Sequence, residues 1–139
     1  MIYHIVTESD LRACLSGDTY IPSSLKDYGF IHCAPQASVI AVANDYFFEA
    51  FAEATEPVLL LKIDPERLIS EVRYEAAAPS AGAGTSHLVD AALFPHVYGP
   101  IHTQAITRVG VLGVMADGYH WPGEFEALDA FIAANSCSV

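Results

Sequence analysis

Val58-Leu59-Leu60-Leu61-Lys62-Ile63 carries an apolar side chain at nearly every position, so a strand here is apolar on both faces. Such a strand belongs in the middle of a sheet that is covered on both sides. The run from Pro57 to Ile63 is also far too short to cross a bilayer. Its hydrophobicity therefore belongs to a protein core.

The segments around it predict an α+β chain. Ile2 to Val6 is dense in β-branched and aromatic residues and reads as a first strand. Thr7-Glu8-Ser9-Asp10 predicts a helix start, with Thr7 capping the amide three residues on and acidic residues at the positive end of the helix dipole. Leu11, Cys14 and Leu15 give that helix an apolar face, and Gly17 ends it. A loop is expected over Asp18 to Asp27 and a strand over Gly29 to Ala34. A long helix follows over about Ala37 to Ala54, where Val39, Val42, Ala43, Tyr46 and Phe47 keep helical spacing. Asp64 to Arg67 reads as a turn or a single helical turn. Strands are expected over Ser70 to Ala76 and Thr107 to Met115, a turn over Gly118 to Pro122, and a closing helix over Glu124 to Asn135. Ala76 to Thr85, nearly all alanine, glycine, proline and serine, is expected as a mobile loop; it lacks the spaced glycines and the lysine of a phosphate-binding loop. About three helices and five or six strands, without regular alternation, make the class α+β.

At 139 residues, 53% hydrophobic and 17% charged, the chain is expected to form a single domain, residues 1–139, with one continuous core. Seventeen acidic against six basic residues give a formal charge of -11, and the cations are scattered. That field repels a phosphate backbone, so DNA and long RNA are not expected partners. The opening Met1-Ile2-Tyr3-His4 has no basic region and no long apolar run, which points to the cytoplasm and away from a membrane. Cys14, Cys33 and Cys137, odd in number and irregularly spaced, suggest neither a disulfide framework nor a zinc knuckle.

Candidate chemistry lies with the histidines. His4, His32 and His96 each sit in a short apolar, strand-like segment, and buried imidazoles need partners that water cannot supply. Within Gly29-Phe30-Ile31-His32-Cys33-Ala34, alternation puts Phe30 and His32 on one face and Ile31 and Cys33 on the other. His32 therefore cannot serve as a base for a Cys33 nucleophile. His96 and Tyr98 share a face within a segment bracketed by Pro95 and Pro100, which is expected at a sheet edge or rim. Arg73 and Glu75 likewise share a face, opposite Val72 and Tyr74. For His4 and His32 the plain alternative is a satisfied core histidine donating to a backbone carbonyl. Three imidazoles are also enough in principle for a metal, although no pair has helical ligand spacing, and His102 and His120 stand apart from them.

Ile2-Tyr3-His4-Ile5, Tyr20-Ile21-Pro22-Ser23-Ser24-Leu25, Gly29 to Cys33, Val58 to Asp64, Arg73-Tyr74-Glu75 and Phe94 to Pro100, in that order over about residues 1 to 115, resemble the bacterial domain-of-unknown-function family 952. The resemblance implies the ADP-ribosyltransferase-like fold, a split, bent, mostly antiparallel β-sheet with NAD in the cleft between its halves. Gly29 to Ala34 looks especially like the RNA 2'-phosphotransferase branch of that fold. By resemblance, His4 and His32 would touch the dinucleotide, joined by Tyr20, Ser23, Arg73 and Tyr98. His96 or Glu75 would act at the scissile bond or the acceptor. The sequence departs from the pattern in showing no glutamate on its expected late strands and too few arginines to grip a phosphorylated RNA.

The expected function is therefore an NAD- or nucleotide-binding cleft that transfers ADP-ribose to a small or protein acceptor. Two alternatives stand beside it: a non-catalytic small-ligand-binding module on the same fold, and a metal-dependent enzyme built on His4, His32 and His96.

Overall fold

The structure, a computed structural model, describes residues 1–44, 56–76 and 93–136, with side chains to residue 133. Its strands are β1 (Ile2–Thr7), β2 (Leu15–Ser16), β3 (Thr19–Tyr20), β4 (Ile31–His32), β5 (Ala34–Pro35), β6 (Val58–Ile63), β7 (Glu71–Ala76), β8 (Leu93–Tyr98), β9 (Ile101–His102), β10 (Ile106–Val111), β11 (Gly113–Met115), β12 (Gly118–His120) and β13 (Phe125–Glu126). The α-helices among the described residues are α1 (Glu8–Cys14), α2 (Ser23–Tyr28), α3 (Val39–Val42) and α4 (Leu128–Ser136). The fold is α+β, with strands pairing antiparallel throughout.

β6 lies third in a five-stranded sheet ordered β13-β10-β6-β1-β5. Alternation divides its apolar side chains between two cores. Leu59, Leu61 and Ile63 join Ile2 and Val6 of β1, Leu11 of α1 and Phe131 of α4 in the first. Val58 and Leu60 join Tyr3, Ile5, Val39 and Tyr119 in the second. Leu59, Leu60, Leu61 and Ile63 are wholly buried. Each such side chain contributes about 1.5–3 kcal/mol of transfer free energy, which makes β6 the energetic centre of the sheet.

Two smaller sheets, β4-β8-β7 and β2-β3-β9, pack onto the first core through Ile31, Val97, Tyr20 and Ile101. The chain from Ile31 to Pro35 links sheets: β4 pairs with β8, then β5 pairs with β1. Between them the Cys33 N–H donates to the Pro95 carbonyl at 3.1 Å. Among the described residues no helix is long and apolar enough to cross a membrane.

The structure corrects several sequence expectations. Asp18 to Asp27 is not all loop: it holds β3 and most of α2. Pro22 precedes α2, and Gly29, at φ 83°, ends it by donating to the Leu25 carbonyl. No residue of α2 is buried, so it carries no apolar stripe for periodicity to reveal. The segment expected at a rim is instead β8, the middle strand of its sheet. Proline loses only its own N–H from the ladder, and the Pro95 carbonyl still accepts from Cys33. Gly118 to Pro122 is not simply a turn: Gly118–His120 is β12, hairpinned to β11. Asn44 Oδ1 accepts from Tyr119 N–H at 2.8 Å, and a Cβ at Gly118 would run into that amide.

The closing helix begins only at Leu128, because Phe125–Glu126 pairs with β10 as β13. Gly110 permits this close approach, since a Cβ there would stand 2.8 Å from Pro122 Cβ and 2.9 Å from Phe125 Cε2. The helix expected over Ala37 to Ala54 starts with a 3₁₀ turn, Gln36–Ser38, and α3. Its residues 45–54 lie outside the described residues, as do residues 77–85 of the expected mobile loop.

Candidate functional site

Directly opposed residues of antiparallel strands share a face. β7 and β8 oppose Glu71 to Tyr98, Arg73 to His96 and Glu75 to Phe94, and β4 adds His32 opposite His96. The reverse face offers Ile31, Val97 and Val72 to the first core. Burying that apolar side fixes the register and presents Arg73, His96 and His32 as a row across three strands.

Glu75 ties this face together. His96 Nδ1–H donates to Glu75 Oε1 at 2.8 Å, and the Tyr98 hydroxyl donates to the same oxygen at 2.6 Å. An ionised carboxylate only accepts, so Nδ1 carries a proton, and Nε2 is the ring nitrogen that Glu75 leaves unbonded. Hydrogen bonds from Tyr98 and His96 hold the Glu75 carboxyl below the usual range. The bond to Glu75 in turn raises the Tyr98 phenol.

Aromatic rings surround the imidazoles. Phe30 stacks on His96, with centroids 4.1 Å apart and planes at 20°. His32 lies 5.8 Å from His96 and 4.8 Å from Phe30, and Tyr28 meets it edge-on at 5.3 Å. Arg73 grips Glu71 through two bonds of 2.9 and 3.1 Å and lies 4.5 Å over the Tyr98 ring. Burial, with His96 and His4 nearby, pushes His32 down to about 4, and its Nε2 is buried without a partner among the described residues.

Among the described residues, His4 is hydrogen-bonded to this site through the backbone. Its Nδ1–H donates to the His32 carbonyl at 2.6 Å, and its Nε2 accepts from the Tyr20 hydroxyl at 2.7 Å. Both ring nitrogens are engaged within the protein, the geometry of a satisfied core histidine. Burial pushes His4 down to about 4 and raises Tyr20. Ser23 is exposed at the start of α2, with no bond to this cluster. Cys33 points into the core, and burial raises its thiol.

Among the described residues, no three His, Cys, Asp or Glu side chains form a metal-ligand group. The sequence reading found no glutamate on a late strand; the structure places Glu126 on β13, in a groove of about 400 Å³ shared with Glu124, Val109 and Gly110. β13 is four strands from β5, about 19 Å at the usual spacing, so Glu126 stands well away from the β4 junction. Tyr28 and Phe30 were not among the site residues expected from sequence, although alternation had already put Phe30 on the His32 face.

The two depressed histidines set a pH dependence. An unfolded chain protonates them near about 6.5, whereas His4 and His32 resist to about 4 when folded. Between those values the unfolded state binds more protons, so stability present above pH ~6.5 is lost as pH falls. The expected loss approaches about 1.4 kcal/mol per pH unit for enclosed His4, and less for partly exposed His32. Denaturant unfolding at about pH 7, 6 and 5 checks this above the main carboxylate range; a flat profile contradicts it.

Residues 5–109 match a family model described as a protein of unknown function, DUF952. The chain belongs to the DUF952 family. Among solved structures it is similar to the crystal structure of protein CC0527 from Caulobacter crescentus, at 25% identity and a TM-score of 0.55, covering 95% of this chain and 97% of that one. A double methionine variant of the same protein aligns over the same extent at 24% identity and a TM-score of 0.55. No functionally curated protein matches the chain. The likeness to CC0527 extends over nearly the whole DUF952 chain.

Proposed function

We propose that this DUF952 protein binds NAD, or a closely related nucleotide, on the His32–His96–Tyr98 face and transfers ADP-ribose to a small or protein acceptor. The observation that carries the reading is Glu75 Oε1, which accepts from His96 and Tyr98 while His96 keeps Nε2 without a bond among the described residues. A carboxylate behind an imidazole makes a positioned general base, and the stacked Phe30 holds its ring plane. The donor set fits a ribosyl-nicotinamide end: flat aromatic surfaces, a buried His32 Nε2 without a partner among the described residues, and a carboxylate for hydroxyls. The ADP-ribosyltransferase-like arrangement implied by family resemblance points the same way.

The bound dinucleotide supplies an N-glycosidic bond, whose electron pair leaves with nicotinamide as the acceptor's nucleophile bonds to the ribose carbon. His96 Nε2 receives the acceptor's proton, and Glu75 steadies the imidazolium so formed. His32, kept neutral, offers Nε2 to a ribose hydroxyl. Arg73 is the anion contact for pyrophosphate, Tyr98 orients Glu75, and Ser23 offers a hydroxyl from the far end of α2. His4 acts through the His32 carbonyl that it holds, and Tyr20 acts by fixing the His4 ring at its other nitrogen.

Calorimetric titration of the protein with NAD and ADP-ribose tests this reading. A saturable heat with NAD, weakened by about tenfold or more in Glu75→Gln, is expected from loss of charge-assisted bonds. Silence with both nucleotides contradicts it.

A further inference from the structure

Two sets of hydrogen bonds meet at one short connection. From His96 the links run to Glu75 and on to Tyr98. From His32, opposite His96, they run through His4 to Tyr20. Tyr20 pairs with Ile101, which follows Tyr98 after Gly99 and Pro100, so the path closes on itself. Every residue on it lies in a strand except Gly99 and Pro100. Pro100 has no N–H to pair, and its carbonyl is taken by a side chain: the Ser70 hydroxyl donates to it at 2.7 Å. Glu71 opposite Tyr98 is the last rung between β7 and β8, which sets Ser70 beside Gly99. A Cβ on Gly99 would run into Ser70 Oγ and stand 2.9 Å from Ser70 Cβ, so glycine is what lets the serine come this close.

We infer that Ser70 is a positioning residue for the His96 base, pinning the end of β8 so that the Tyr98 hydroxyl meets Glu75 Oε1. Its effect on turnover rests on the reaction proposed above; its effect on the resting His96 ring does not. Tyr98 is the terminal residue of β8, and its hydroxyl lies 2.6 Å from Oε1 at the end of a long side chain. A bond that short weakens steeply with misalignment. Movement at Gly99-Pro100 is therefore carried to the phenol and leaves Oε1 free to turn. His96 Nδ1–H then loses its fixed acceptor, and with it the ring loses its single preferred tautomer. Arg73 covers the Tyr98 ring but is tied to exposed Glu71, and such pairs are too weak to hold the phenol in place. Among the described residues Ser70 has no bond to Glu75 or His96, so it acts through Tyr98.

The test compares Ser70→Ala with Thr107→Val, which removes an equivalent hydroxyl-to-carbonyl bond, Thr107 to Lys62 at 3.2 Å, in the five-stranded sheet. Two readouts are followed: the His96 Nδ1–H signal in nitrogen-15 magnetic resonance of the ligand-free protein, and single-turnover nicotinamide release from NAD. In Ser70→Ala the Nδ1–H signal is expected to broaden or vanish as the tautomers mix, and release to slow by about tenfold. Thr107→Val leaves both as in the wild type. In a Tyr98→Phe background Ser70→Ala is expected to slow release no further, because the hydroxyl it places is already gone. An unchanged Nδ1–H signal in Ser70→Ala, or an equal change in Thr107→Val, overturns the inference and leaves the dinucleotide reading standing. A full further tenfold loss in the Tyr98→Phe background also overturns it. A signal lost in Ser70→Ala, with no nicotinamide released by the wild type, upholds the positioning of His96 and overturns the reaction instead.

Discussion

His4→Ala is expected to remove about 3–5 kcal/mol of folding stability, a large share of what a domain of this size possesses. The His4 ring joins the Tyr20 hydroxyl to the His32 carbonyl inside the first core. Its removal strands two buried polar groups at about 1–3 kcal/mol each and opens a cavity the size of an imidazole. Tyr20→Phe deletes one donor and leaves the rest of the packing intact, so a loss of about 1–2 kcal/mol is expected there. Denaturant unfolding of both variants checks the ordering. A loss below about 1 kcal/mol for His4→Ala contradicts the role given to this bridge.

His96→Ala is expected to slow nicotinamide release from NAD by about 10²–10⁴-fold, the usual range for removal of a general base. His96 is only 3% exposed and held on both sides, by Glu75 at Nδ1 and by the Phe30 ring, so alanine takes away the ring that the proposed transfer uses as its base. Glu75→Gln keeps an oxygen that can accept from Nδ1–H but loses the charge that steadies the imidazolium. Its expected effect is smaller, about 10–100-fold. Single-turnover release of labelled nicotinamide, set beside NAD affinity for each variant, separates chemistry from binding. Binding without any release in the wild type selects the non-catalytic module, and unchanged release in His96→Ala removes the histidine from the reaction.

What the sequence revealed follows from which signals are local. The two-sided apolar pattern of Val58 to Ile63 marked the central strand, because burial on both faces leaves no polar alternation. Alternation also paired His96 with Tyr98, Arg73 with Glu75 and Phe30 with His32, and the structure keeps each pair on one face. Cross-strand register is not written in spacing: nothing within Arg73-Tyr74-Glu75 says that Arg73 lies opposite His96. The partners of His4 were hidden for the same reason, since Tyr20 and the His32 carbonyl arrive from distant segments. α2 escaped notice because a surface helix with no buried residue has no stripe to read. β12 and β13 escaped because strands of two or three residues are fixed by tertiary contacts, here by Asn44 against Gly118 and by Pro122 and Phe125 against Gly110.

The most direct measurement is a nuclear magnetic resonance titration with NAD+ that follows the ring protons of His32, His96, Tyr98 and Phe30, with exposed His120 as the control. A ligand seat at Glu75 and His96 requires saturable shifts in all four rings, with His120 unmoved. Shifts confined to the Val109–Gly110–Glu126 groove, or four rings left silent at saturating NAD+, would contradict it.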